Sequence, residues 1–187
     1  MRDTRLANLA KNGDRDAFAE IVEIYKDKIY QLGYRMLGNA HEAEDIVQET
    51  FMRVFANFER YDSSHKFSTW IYRIGTNLCI DRLRKRKSVY SLDAEVSNGE
   101  SDGYAMLASK GDSPEDQAVL SETRVLIRRA IEELPEKYKT VVILRYFHDL
   151  SLQEISHILD MPVTTVKTRV HRGREYLRKK LLEGRFL

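Results

Sequence analysis

The chain has 187 residues, of which 42% are hydrophobic and 32% charged, with a formal net charge of +2. That composition suits one globular domain or two small ones and argues against a disordered chain. No apolar run approaches the roughly 20 residues that cross a bilayer, the charged start MRDTRLANLAKNGDRDAF predicts no secretory leader, and the single cysteine, Cys79, excludes an internal disulfide and fits a reducing cytoplasm.

Strand signals are nearly absent and helical ones recur. Asp14 is placed to cap a helix from about Arg15 to Leu37, whose Phe18, Ile21, Val22, Tyr25, Ile29 and Leu32 or Gly33 follow i, i+3, i+4 spacing, with Gly38 as its stop. Asn39 with Glu42 reads as a capping box opening a second helix to about Tyr61. Its buried stripe is expected to hold Ala43, Ile46, Val47, Phe51, Val54 and Phe55, with Phe58 near the end. After the polar stretch DSSHK, Ser68 is expected to cap a third helix to about Lys87. Phe67, Trp70 or Ile71, Ile74 and Leu78 form its core face, and Tyr72 is expected to be partly exposed.

Residues 88–112 hold three glycines and five serines with no sustained period, and they read as a flexible linker. Ser113-Pro114-Glu115-Asp116 reopens the pattern with a cap, a proline at the first helical position and acids in the first turn. Helices are then predicted from about Pro114 to Leu134, Glu136 to Phe147, Leu152 to Leu159 and Val163 to Leu182, punctuated by Pro135 and Pro162. The fold class is therefore all-α: two helical domains, 1–87 and 113–187, joined by an acidic linker.

Charge is distributed unevenly. RLRKRK (82–87) has five basic residues and no acid, residues 88–118 have seven acids against Lys110 alone, and residues 161–187 have eight basic residues against Glu175 and Glu183. Basic patches on two separate elements predict polyanion contact at two places.

The C-terminal stretch SLQEISHILDMPVTTVKTRVHRGREYL has a capping box at Ser151 and Glu154, a short helix, a break at DMP and a longer basic helix. This is the layout of a helix-turn-helix, whose second helix enters the major groove. At roughly 100° per residue, Val166, Val170, Gly173, Leu177 and Leu181 share a side that packs on Ile155, Ile158 and Leu159. Lys167, Thr168, His171 and Arg172 lie opposite, where they can reach base edges; Arg174, Arg178 and Lys179 suit phosphates or solvent.

In the third N-terminal helix, Arg73, Asn77 and Arg84 lie off the core face, with Lys66 just upstream. Aromatic, amide and guanidinium groups together can stack on an unpaired base and bond its edge, and RLRKRK can grip phosphates. Trp70 reads equally as a core residue, and Asn77 as a surface amide without a task. His41, Glu42, Glu44 and Asp45 lack helical ligand spacing, so no metal or other cofactor is expected.

DAFAEIVEIYKDKIYQLGYRMLGNAHEAEDIVQETF, FSTWIYRIGTNLCIDRLRKRK and LPEKYKTVVILRYFHDLSLQEISHILDMPVTTVKTRVHRGREYLRKKL together resemble the extracytoplasmic-function (ECF) sigma factors of bacteria. The combination D-x-x-Q-E-x-F, W-x-Y-R-I-x-x-N-x-x-I-D and the C-terminal motif, in that order, is specific. The resemblance implies a sigma region 2 bundle over 1–87 and a region 4 helix-turn-helix over 113–187. It implies that Asp45, Gln48, Glu49, Phe51 and Met52 dock on the β′ clamp of core RNA polymerase, with region 4 meeting the β flap. Tyr61, Lys66, Trp70, Arg73, Asn77, Asp81 and Arg84 would read the −10 element, the 61–66 loop and Asn77 holding a base extruded from the non-template strand. Thr165, Lys167, Thr168, His171 and Arg172 would read the −35 element. His171 stands where some relatives carry an aromatic residue. The linker would thread the polymerase channels. The resemblance further implies a cytoplasmic factor directing polymerase to promoters of envelope-stress genes, restrained by a membrane-anchored anti-sigma factor.

Three other classes predict different features. A response regulator needs alternating strands and helices in its first hundred residues. An enzyme needs a phosphate loop, H-E-x-x-H, G-x-S-x-G or a metal cluster, none of which occurs. A helical adaptor leaves both basic patches without a use.

Overall fold

Side chains that accept otherwise orphaned backbone N–H groups fix the helix starts. The Asp14 carboxylate accepts from the N–H groups of Asp16 and Ala17, each at 3.0 Å, and the Asn39 side chain accepts from Glu42 N–H at 3.0 Å. Ser151 and Glu154 close a reciprocal capping box. A computed structural model describes residues 2–92 and 125–183. Its elements are α1 (Arg2–Lys11), α2 (Arg15–Leu37), α3 (Ala40–Ala56), a 3-10 turn (Phe58–Arg60), α4 (Phe67–Leu92), α5 (helical over 125–132), α6 (Glu136–Tyr146), α7 (Leu152–Leu159) and α8 (Val163–Glu183). Every regular element among the described residues is helical, as the periodicity predicts. Among them no helix is long and apolar enough to cross a membrane.

In the N-terminal half, α2 is the axis. Ile21, Tyr25, Ile29, Leu32 and Met36 run down one face, all buried against α3 and α4. A Cβ at Gly33 would stand 3.1 Å from the Ala43 Cα, so the missing side chain sets how closely α2 and α3 approach. Gly38 ends α2 in the left-handed region (φ 74°), where glycine carries no steric penalty. Cys79 is fully buried in α4, and burial pushes its thiol up to about 12. In the C-terminal half, Val141, Val142, Ile143 and Leu144 are buried in succession because α6 lies between α8 on one side and α2 on the other.

Several expectations are corrected. The charged N-terminus, to which the spacing assigns no element, forms α1, whose Leu6 and Ala7 are buried and whose Asp3 accepts a 2.5 Å bond from the Tyr25 hydroxyl. The helix predicted to Tyr61 stops at Ala56, and a 3-10 turn takes over. Ser68 does not cap α4; Phe67 already belongs to it, and Lys66 O accepts the Trp70 N–H. Glu42 does not complete a box with Asn39 because its carboxylate meets Arg86. α4, predicted to end at about Lys87, continues through Leu92, since SVYSL contains neither glycine nor proline. The rest of the linker, and the Pro114 start of the next helix, lie outside the described residues.

The two halves pack on each other, α7 against α4 and α6 against α2. Tyr72, predicted to be partly exposed, is buried here, its hydroxyl 2.9 Å from His148 Nδ1. Arg35 lies over the Phe147 ring at 4.1 Å. Burial, and then the cations of Arg35 and Lys28, hold His148 down to about 4, and its Nε2 is out of water without a partner. Tyr72, pushed upward by burial and by Asp149, stays neutral. His148 is therefore neutral in the packed state, while a histidine released to water titrates near its ordinary value of about 6.5. The contribution is complete above that pH and is lost as pH falls toward the depressed value. Faster amide exchange over 146–150 at pH 5 than at pH 7.5, after correction for intrinsic rates, is the expected outcome; a His148→Gln chain should lose the difference.

Candidate nucleic-acid and polymerase interfaces

The 61–66 loop sits on an aromatic floor. Phe58, Tyr61, Phe67 and Trp70 meet with ring centroids 5.3–5.9 Å apart, and Phe67 reaches Tyr25 on α2 at 5.6 Å. Tyr61 donates its hydroxyl to the His65 carbonyl (2.9 Å), and its own carbonyl accepts from Lys11 Nζ (2.8 Å). Ser64 donates to the Asp62 carboxylate through its hydroxyl (2.7 Å) and N–H (2.9 Å), which holds that exposed acid below its ordinary value. Tyr61 is buried and Trp70 half-buried, so of the predicted −10 residues these two form the support.

Beyond the floor, Arg73, Asn77, Asp81 and Arg84 are all exposed along α4. At roughly 100° per residue they fall within about 80° of one another, opposite the buried Tyr72, Gly75 and Cys79. The structure thus brings four predicted residues into one stripe, with Lys66 exposed at its N-terminal end. The basic tail is less available than its sequence implies. Arg82 pairs with Asp45 at 2.9 Å, Arg86 with Glu42 and the Leu37 carbonyl, and Lys87 with Glu136 at 2.7 Å. Three of the five basic residues in RLRKRK are engaged within the protein, and Arg84 approaches Asp81 at 3.9 Å.

On α3, Asp45, Gln48 and Met52 are exposed and Glu49 is half-exposed, on one face. Arg82 orients Asp45, and Arg53 orients Glu49 at 2.8 Å. Phe51 is buried, so among the predicted docking residues it packs the core rather than forming the surface. Phe55, predicted to be buried, is 68% exposed beside Met52 at 66%, and rests edge-on against Phe18 at 5.4 Å. The apolar stripe there is wider than α2 and α4 can cover. An excess of large apolar residues on α3 was the available signal.

On α8, Val166, Val170 and Gly173 are buried, while Lys167, Thr168, His171 and Arg172 are exposed and Thr165 is half-buried. The Asp160 turn in the left-handed region (φ 50°) separates α7 from α8. Thr168 donates its hydroxyl to the Thr164 carbonyl at 3.0 Å, which leaves its lone pairs and methyl outward. Sequence reasoning missed the flank supplied by α6. Lys137 and Tyr138 line a groove with Thr164, Thr168 and Arg172, and the Arg172 guanidinium holds the exposed Tyr138 hydroxyl below its ordinary value. Only spatial folding brings this pair to α8.

Two family models match the chain in order: sigma-70 region 2 over residues 21–89 and sigma-70 region 4 over residues 124–177. The ECF RNA polymerase sigma factor SigW of Bacillus subtilis is 58% identical over 172 residues, covering 91% of this chain and 92% of that one. The chain belongs to the ECF sigma factors. The ECF RNA polymerase sigma-E factor of Escherichia coli is 32% identical, over 97% of this chain and 95% of its own length. In fold, the sigma factor superposes on CnrH, solved with the cytosolic domain of CnrY, with a TM-score of 0.72 at 23% identity, covering 98% of this chain and 99% of that one. RpoE of Bartonella quintana, solved with the anti-sigma factor NepR, gives 0.70 at 20% identity, over 88% and 96%. The protein is thus a transcription initiation factor and not an enzyme, and its two helical domains are those of regions 2 and 4.

In region 4, α8 is held at one close crossing. A Cβ at Gly173 would lie 2.5 Å from Val142 Cγ2 and 3.4 Å from Tyr138 Cβ. Gly173→Ala is expected to push α8 away from α6 and to cost about 1–3 kcal/mol of overpacking, partly offset by roughly 1 kcal/mol of helix propensity. A lower urea midpoint with an unchanged slope is the measurement that checks it.

Proposed function

We propose that the chain docks on core RNA polymerase through the α3 face, reads the −10 element with the 61–66 loop and the α4 stripe, and reads the −35 element with the start of α8. The observation that carries this reading is the exposed stripe of Arg73, Asn77, Asp81 and Arg84. It has no packing use, and it stands on a floor that fixes its direction. Extruding a base costs a few kcal/mol. A rigid loop beside an amide and guanidinium groups recovers part of that by stacking and edge bonds. Asp45, Gln48, Glu49 and Met52, with the exposed Phe55, make an acidic rim around two apolar side chains, the composition of a docking patch rather than of a solvated face.

Residues 1–87 then act as region 2 and 113–187 as region 4, with the acidic connection threading the polymerase channels and region 4 meeting the β flap. Lys167, Thr168, His171 and Arg172, with Thr165 behind them, offer donors to purine edges and a methyl to thymine. The factor works in the cytoplasm, serves envelope-stress promoters and is restrained there by a membrane-anchored anti-sigma factor. The family resemblance supports this restraint.

Run-off transcription with purified core polymerase, with start sites mapped genome-wide, tests the whole reading; failure to associate with core at any salt concentration ends it. Lys167→Ala with Arg172→Ala is expected to lower initiation at promoters that need the −35 contact by about tenfold or more, since each good base contact is worth roughly 1–3 kcal/mol. Core binding should be unchanged, and its loss would contradict the assignment. Asn77→Ala should impair strand opening more than initial docking. Permanganate reactivity equal to wild type at the −10 thymines would refute that role.

A further inference from the structure

The groove beside α8 holds a residue that the −35 reading leaves without a role. Tyr138 stands in the first turn of α6, where its N–H donates to the Pro135 carbonyl at 2.8 Å. Its Cβ would lie 3.4 Å from a Cβ at Gly173, the residue next to Arg172. Lys137 Nζ sits 5.0 Å from the centre of its ring. At the far end of the ring the Arg172 guanidinium donates to the hydroxyl and, as the first cause, holds the phenol below its ordinary value. Both side chains line the groove together with Thr164 and Thr168. Other contacts already hold α8 on this flank. Tyr176 donates its hydroxyl to the carbonyl of Glu133, in the turn before α6, at 3.1 Å, and Lys180 Nζ lies 2.8 Å from the Glu133 carboxylate. With the crossing at Gly173, these ties fall on one side of α8.

Arg172 is held differently from the arginines that follow it. Arg178 pairs with Glu175 at 3.2 Å, and Arg174 approaches the same acid at 3.9 Å. Among the described residues Arg172 has no such acid; its neighbour is a neutral phenol. The difference has a physical consequence. A carboxylate would orient the guanidinium but cancel its charge and stand against the phosphates of a duplex. A phenol oxygen accepts one of the five N–H donors and leaves the charge intact. Enough donors remain for a bidentate contact with guanine O6 and N7. Ordering a free arginine on binding costs rotamer freedom, and a side chain oriented beforehand loses less.

We propose that Tyr138 is a positioning residue for promoter recognition: its hydroxyl holds the Arg172 guanidinium over the groove in the orientation that meets a guanine edge of the −35 element. This role rests on the −35 reading of α8 proposed above. Tyr138 acts through Arg172 and needs no base contact of its own. The choice of base at one −35 position is thereby set in part from α6, outside the two helices of the helix-turn-helix.

Tyr138→Phe tests this in the holoenzyme. Phenylalanine keeps the ring against Gly173 and under Lys137 and removes only the hydroxyl, so the urea midpoint of the free chain is expected to hold. The probes are a −35-dependent promoter mapped by the run-off experiment and its derivatives, each with one −35 base pair replaced, at subsaturating holoenzyme. Tyr138→Phe is expected to lower initiation about two- to tenfold at the unaltered promoter, the worth of one ordinary hydrogen bond. The loss should vanish at the derivative altered in the one base pair that Arg172→Ala also ceases to read. In the Arg172→Ala background, Tyr138→Phe should change nothing, because the two residues act as one unit. Initiation equal to wild type at the unaltered promoter overturns the positioning role and leaves the −35 reading intact. An equal loss in both backgrounds, or a loss spread evenly over all the derivatives, overturns it too, since a shifted α8 would do the same. An Arg172→Ala holoenzyme that initiates as wild type at every one of these promoters removes Arg172 from the −35 reading, and Tyr138 with it.

Discussion

The N-terminal half depends on one aromatic contact set. Phe67 lies between Tyr25, Phe58, Tyr61 and Trp70, and through it the core of α2, the 3-10 turn, the loop and the first turn of α4 share a single packing unit. Aromatic pairs of this kind add about 0.5–1.5 kcal/mol each beyond the area they bury. Their larger effect here is geometric. A loop of polar residues would ordinarily be mobile, yet this one has its first tyrosine buried, with the hydroxyl bonded across the loop to the His65 carbonyl. The stripe on α4 therefore has a fixed origin, and its polar groups are aimed by the hydrophobic side of the same helix.

The C-terminal half solves a related problem differently. Its last helix, α8, buries only Val166, Val170 and Gly173, and the close crossing with α6 at Gly173 brings Val142 against it. That crossing also delivers Lys137 and Tyr138 to the groove beside Arg172. The consecutive buried run from Val141 to Leu144 is the cost of serving two neighbours at once. A helix packed on one side only would have alternated with polar residues at helical spacing.

Much of this was readable from spacing. The caps at Asp14 and Ser151, the opposed faces of α8 and the inward side of α4 follow from residue type and a period of 3.6. The unread parts have common physical causes. The α1 segment RDTRLANLAK offers few apolar residues, and its place is fixed by a tertiary bond from Tyr25 to Asp3. Tyr72 and Phe55 were exchanged between inside and outside because burial there is decided by a neighbour distant in sequence, His148 for the first and the limit of α2 and α4 coverage for the second. RLRKRK read as one phosphate grip, but pairing partners at Asp45, Glu42 and Glu136 lie 37, 44 and 49 positions away, beyond any local pattern.

The two arginines that turn back from the basic run have a mechanical meaning. Arg82 joins α4 to Asp45 near the start of α3, and Arg86 joins it to Glu42 one turn earlier and to the end of α2. These ties, spaced four residues apart, resist twisting of one helix against the other as two bolts resist rotation where one would not. The long arm of α4 thereby takes its bearing from α3, and a small tilt of α3 is magnified along the arm.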